Sequence, residues 1–224
     1  MRAAVINFPG SNCVLDMYYA LKDFRLDAEI VDANQENLDG FSAIFLPGGF
    51  SYGDYLRTGA IARFAPAMKG VAKAAKDGRL VVGICNGFQI LTEAGLLPGA
   101  LRENAKPGFI CDEITLNVAN PDSIFSSAYD KLQITLPIAH GAGNYYADAQ
   151  TLASLKAHQQ IIFTYEDNPN GSLDDIAGIV NQAGNVFGMM PHPERAVDPL
   201  LGNTDGRAFF QSILQRKDLL THAD

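Results

Sequence analysis

The sequence predicts an α/β fold: a doubly wound, mostly parallel sheet covered by helices on both faces, with an antiparallel insertion or edge in the second half. In the first half, short β-branched, apolar runs alternate with amphipathic stretches of helical length, separated by turns rich in Gly, Pro or Asn. From residue 108 onward, strand-like runs follow one another with few helices between them. The composition, 47% hydrophobic and 19% charged over 224 residues, suits one compact domain spanning residues 1–224, and no internal repeat, low-complexity segment or linker divides it.

Taken in order, strands are expected at residues 3–8, 28–32, 43–47 and 79–84, and helices at 12–24, roughly 57–76 and 86–95. Such alternation implies parallel strands with ligands bound beyond their C-terminal ends. Strands are then expected at 109–118, 132–139 and 144–147, a short helix near 149–157, and strands near 160–165, 176–181 and 185–189. A last helix, roughly 204–217, closes the fold.

Composition also excludes function classes. The net charge is −8 and no window clusters Lys and Arg, so neither nucleic acid nor an anionic membrane surface is an expected partner. No run approaches the ~18 apolar residues of a membrane span, and the N-terminal run Arg2–Phe8 has neither the length nor the cleavage site of a signal peptide. The expected location is therefore the cytoplasm. Cys13, Cys85 and Cys111 are widely spaced with no CxxC pair, which indicates neither a disulfide framework nor a zinc site.

The most informative stretch is Arg79–Leu91, where an apolar strand runs straight into a helix through Gly83-Ile84-Cys85-Asn86-Gly87. This is the pattern of a nucleophile elbow: a sharp turn forces its central residue into strained backbone, and small residues on either side remove the clashes. The thiol of Cys85 then stands at a helix N-terminus, whose partial positive charge favours thiolate. The alternative is a core cysteine at a strand end, which flanking glycines do not explain.

A cysteine nucleophile needs a base, and the histidines are His140, His158, His192 and His222. His192 lies in Pro191-His192-Pro193-Glu194, after an apolar run that should be another sheet strand. Pro193 biases the segment to extended backbone, where side chains at i and i+2 point the same way, so Glu194 can hold the His192 ring and stabilise its imidazolium. The alternative is a solvated loop histidine beside a surface glutamate. Acyl transfer also needs donors for the developing oxyanion; the backbone N–H of Asn86 is one candidate and the Gly48-Gly49 pair after Pro47 supplies another. A simple type II turn is the alternative for that pair.

Together, Pro47-Gly48-Gly49, Gly83-Ile84-Cys85-Asn86-Gly87 and Pro191-His192-Pro193-Glu194 resemble class I (triad-type) glutamine amidotransferase domains, of flavodoxin-like fold, over residues 1–224. More narrowly, Phe8–Cys13, Gly48–Arg57, Cys85–Gln89 and Met189–Arg195 resemble the glutaminase subunits of phosphoribosylformylglycinamidine synthases. The resemblance implies Cys85 as nucleophile, His192 as base and Glu194 as its orienter, with Gln89 holding the glutamine substrate. It implies hydrolysis of glutamine through a thioester, with ammonia passed to a synthetase subunit that converts formylglycinamide ribonucleotide to formylglycinamidine ribonucleotide in de novo purine biosynthesis. A small accessory subunit completes that complex. No cofactor or metal is expected in this chain; ATP and Mg are expected on the synthetase, and the absence of a GxxxxGK[ST] loop fits that division. The segment Ala139-His140-Gly141-Ala142-Gly143 resembles the family's His-Gly-Glu-Gly motif, which implies a substrate-side role for His140, but Ala142 replaces the Glu. A stand-alone cysteine hydrolase of related fold and a non-catalytic interaction module are the competing readings; the second would require loss of a triad member.

Overall fold

The computed structural model of the chain describes residues 1–215. Its elements are β1 (Arg2–Asn7), α1 (Val14–Asp23), β2 (Asp27–Asp32), β3 (Ala43–Leu46), α2 (Ala67–Lys76), β4 (Leu80–Ile84), α3 (Asn86–Glu93) and β5 (Ala100–Arg102), followed by β6 (Ile110–Val118), β7 (Gln133–His140) and β8 (Asn144–Tyr146), then α4 (Ala149–Ala157), β9 (Ile161–Tyr165), β10 (Ile176–Val180), β11 (Val186–Met189) and α5 (Arg207–Gln215). One nine-stranded sheet runs in the order β2-β1-β3-β4-β11-β10-β9-β6-β7. The five strands from β2 to β11 are parallel, and the remainder pair antiparallel. The second-half antiparallel strands are thus an edge that continues the main sheet.

Burial follows from that position. β3 (AIFL) and β4 (LVVGI) are covered on both faces and buried at every residue, as parallel strands between helical layers must be. β7 lies at the open end and alternates, with Ile134, Leu136, Ile138 and His140 inward. Under the antiparallel half, Phe125, Phe163, Phe187 and Phe209 form an aromatic cluster, with Phe125 and Phe187 stacked at 4.4 Å between centroids.

Three sequence expectations need correction. The helix expected over 57–76 is α only from Ala67, preceded by a single 3-10 turn at Ala62–Phe64. Pro66 drives Ala65 into extended backbone (φ −58°, ψ 143°), which separates the two. The strand expected at 144–147 leaves the large sheet and pairs instead with β5, a three-residue strand too short to register as a hydrophobic pattern. The last helix is Arg207–Gln215; residues 216–217 of that expectation, and His222, lie outside the described residues. Among the described residues no helix is long and apolar enough to cross a membrane.

Phe187 joins the central parallel strands to the aromatic cluster, so Phe187→Ala should destabilise the fold by about 3–5 kcal/mol, measured as a shift in the urea unfolding midpoint at unchanged slope.

Candidate active site

Three neighbouring parallel strands, β3, β4 and β11, end side by side, and each delivers one piece of the site. At the end of β4 the chain turns into α3 through Cys85, whose backbone stands at φ +52°, ψ −107°. That conformation is strained for a residue with a Cβ and persists only where its surroundings hold it. The surroundings here are tight. A Cβ at Gly87 would lie 1.9 Å from the Leu46 carbonyl oxygen of β3, and a Cβ at Gly83 would lie 2.6 Å from the backbone of Gly87. Only glycine lets α3 start this close to the strands. The Cys85 N–H donates to the Met189 carbonyl at the end of β11 (2.8 Å), and its thiol points to the Ala139 carbonyl at 3.6 Å.

Just beyond β11, His192 and Glu194 are both buried, with Nδ1 of His192 2.6 Å from Oε1 of Glu194. The bond runs between residues i and i+2, in keeping with the extended-chain reading, although Pro193–Arg195 closes into a 3-10 turn immediately afterwards. Burial alone pushes the His192 pKa down, but the charges of Glu194 and Cys85 outweigh it and raise the value to about 10. The ring's other nitrogen, Nε2, has no hydrogen-bond partner among the described residues. The His192 N–H donates to the Pro137 carbonyl of β7 (2.9 Å), which fixes the segment to the far edge of the sheet.

From β3 come Gly48 and Gly49. A Cβ on Gly48 would fall 2.7 Å from Cε1 of His192 and 3.3 Å from Cβ of Cys85, so the missing side chain makes room for the imidazole beside the cysteine. Gly49 (φ +140°) packs against the backbone of Ser11 and Asn12. The N–H groups of Gly49 and Asn86 are taken up by no backbone or side-chain acceptor among the described residues.

Cys85 opens onto a cavity of about 720 Å³, which Gly49, Gln89, His140 and Ala142 also line. Gln89 faces the cavity one turn after Cys85, its Nε2 donating to the Ala142 carbonyl (2.7 Å) and its Oε1 accepting from Asn86 Nδ2 (2.9 Å). The position of Ala142 thus contributes its backbone to this wall. His140 has both ring nitrogens occupied, Nδ1 by Asn104 Oδ1 (3.1 Å) and Nε2 by Asn170 Nδ2 (3.5 Å). Burial, with the charge of His192, lowers its pKa to about 4, so it stays neutral.

Residues that the chemical reading of the sequence passed over surround this core. Cys13 is buried beside the His192–Glu194 pair, and Nη2 of Arg195 lies 2.9 Å from its sulfur while Nε of Arg195 pairs with Asp16 at 3.1 Å. Burial, then the charge of Glu194, pushes the Cys13 thiol up to about 12, which leaves it protonated and a poor nucleophile. Donor atoms of Cys13, His192 and Glu194 lie within 4.8 Å of one another, but the guanidinium of Arg195 already holds the sulfur, so they are no open metal site. Asp54, Arg57, Arg102 and Glu103 line the cavity as well. Asp54 and Cys13 fall within the two longer motifs that carry the resemblance, Gly48–Arg57 and Phe8–Cys13, but only the fold brings them to the site.

Residues 1–211 match the family model of the CobB/CobQ-like glutamine amidotransferase domain. The chain belongs to that family. The amidotransferase domain shares 46% identity with a chain of PurLQS from Thermotoga maritima, with 96% of this chain and 98% of that one covered and a TM-score of 0.89. A candidate GMP synthase component from Thermoplasma acidophilum (16% identity, TM-score 0.65, covering 98% and 96%) and a glutamine amidotransferase from Thermotoga maritima (15%, 0.59, covering 100% and 94%) share its fold. The domain is a glutaminase-type enzyme built on a mostly parallel α/β sheet, as its family requires.

Two outcomes follow from this geometry. Gly87→Ala should lower thermal stability by several degrees, because a methyl group cannot share space with the Leu46 carbonyl. Glu194→Gln should move the His192 titration, followed by NMR of its ring, down from about 10, since Glu194 supplies the largest force raising it.

Proposed function

We propose that Cys85, His192 and Glu194 form the catalytic triad of a glutaminase that feeds ammonia to a synthetase subunit. The observation that carries this reading is the buried His192–Glu194 pair, its free Nε2 beside a cysteine held at φ +52°. The Cys85 sulfur, its proton already held by His192, attacks the side-chain carboxamide carbon of glutamine. The oxyanion is received by the N–H groups of Gly49 and Asn86, left without acceptors among the described residues. His192 returns the proton to the leaving nitrogen, the C–N bond breaks and ammonia departs. A water, deprotonated by His192, then cleaves the γ-glutamyl thioester to glutamate. Glu194 holds the ring's tautomer and steadies the imidazolium. Gln89 positions the glutamine, and His140, neutral and locked between two asparagines, forms part of the cavity wall.

The near-full-length likeness to a chain of PurLQS supports assigning the synthetase to formylglycinamidine ribonucleotide formation in purine biosynthesis. In that assignment ATP and Mg are used on the synthetase, a small accessory subunit joins the complex, and the assembly works in the cytoplasm.

In the reconstituted complex, Cys85→Ala should abolish glutamine-dependent synthesis while ammonia-dependent synthesis persists, because only the ammonia source is lost. Survival of both activities in an end-point assay of formylglycinamidine ribonucleotide would overturn the triad assignment.

A further inference from the structure

Glutamine brings two charges into the cavity in addition to its reacting amide: an α-ammonium and an α-carboxylate. The cavity wall holds two carboxylates and two guanidinium groups. They are not equivalent. Arg57 is already committed, its Nε and Nη2 bound to the two oxygens of Glu93 at 2.6 and 2.8 Å. Arg102 makes no ion pair among the described residues and stands over the Tyr146 ring, its Cζ 3.3 Å from the centroid, so its donors remain open to a carboxylate. Glu103 is exposed to solvent. Asp54 is partly buried and has no cationic partner among the described residues; its one polar contact is a long one, 3.5 Å from Asn86 Nδ2.

That contact ties Asp54 to the reaction centre. Asn86 follows the nucleophile, and the same amide group that reaches toward Asp54 also donates to Gln89 Oε1. Oδ1 of Asn86 accepts from the Ser51 N–H at 3.1 Å, which fixes the loop that holds Asp54 against α3. The loop is held in uncommon backbone: Tyr52, Asp54 and Leu56 all have positive φ, and the Tyr52 N–H is bound to the Pro9 carbonyl at 2.6 Å. Burial without a counter-charge raises the Asp54 pKa to about 6.

We infer that Asp54 is the specificity anchor for the α-ammonium group of glutamine, meeting it as an ion pair inside the cavity that Cys85 opens onto. This rests on the glutaminase reading above. An ammonium at this site replaces the missing counter-charge, whereas a substrate lacking it leaves a partly desolvated carboxylate unpaired, so the penalty falls on the wrong substrate. Primary amides without an α-amino group are thereby rejected although their reacting end is identical.

The test compares glutamine with glutaramate, the same molecule without its α-amino group, as substrates of the full chain in its complex with the synthetase. The ratio of kcat/KM for glutamine to that for glutaramate should fall by about 10- to 100-fold in Asp54→Asn, the worth of one charge-assisted contact. Asp54→Glu, which keeps the charge, should recover part of it. Structural damage alone lowers both substrates together and leaves the ratio unchanged, and an unchanged ratio overturns the inference. A second measurement does not depend on how Asp54→Asn folds: calorimetric binding to the Cys85→Ala complex should show glutamine at least about tenfold tighter than glutaramate, and equal affinities would overturn it. If the ratio does not move while Cys85 remains essential for glutamine-dependent synthesis, the Asp54 assignment falls and the triad stands.

Discussion

The close approach of α3 to β3 determines most of what this molecule does. The first turn of that helix lies so near the Leu46 carbonyl that residue 87 has no room for a side chain, and residue 83 is squeezed in turn by residue 87. Between these two glycines the backbone has no relaxed route from strand to helix, and Cys85 absorbs the mismatch at φ +52°. The same contact that strains the cysteine also aims it, because a helix pressed onto the C-terminal ends of parallel strands leaves its N-terminus facing the crevice beyond them. The neighbouring strands then complete the site by ending there: β3 with a glycine whose absent side chain admits an imidazole, β11 with the imidazole itself.

A second constraint is electrostatic. His192 and Glu194 are both buried, and an ionised pair withdrawn from water is held only by good geometry and by neighbouring charge. The 2.6 Å bond between them supplies the first, and Arg195, itself tied to Asp16 and resting on the Cys13 sulfur, supplies a cation next to Glu194. Cys13 serves this arrangement as a neutral, buried thiol. Two cysteines therefore flank one imidazole in different settings: Cys85 at a strained helix start, Cys13 against the Arg195 guanidinium.

How much of this was legible in the sequence depended on the range of the physics. The elbow is a local motif, so its two glycines announced it, and the His192–Glu194 bond spans two residues, so extended-chain geometry announced that too. The parallel half of the sheet was readable from buried apolar runs such as LVVGI. The helix before Pro66 was not, because amphipathic spacing over 57–65 outlasts the backbone's ability to be helical there. Strand β5 owes its existence to pairing with β8, a contact from 40 residues away in sequence or more that no local pattern carries. Asp54 and Cys13 were visible only as members of longer motifs, since what makes them matter is burial and the company they keep.

The wall contributed by β7 has a bearing on how the chain is made. β7 lies at the opposite end of the strand order from β2, yet the Ala139 carbonyl meets the Cys85 thiol and the Pro137 carbonyl holds the His192 backbone. The antiparallel half must therefore curl back before Cys85 has its Ala139 wall and the His192 segment its Pro137 tether. During synthesis, residue 85 emerges more than a hundred residues ahead of His192, and the contacts that join them are among the least local in the fold. A nascent or half-folded chain accordingly carries Cys85 without the imidazole of His192 beside it, and the two meet only once the sheet is closed.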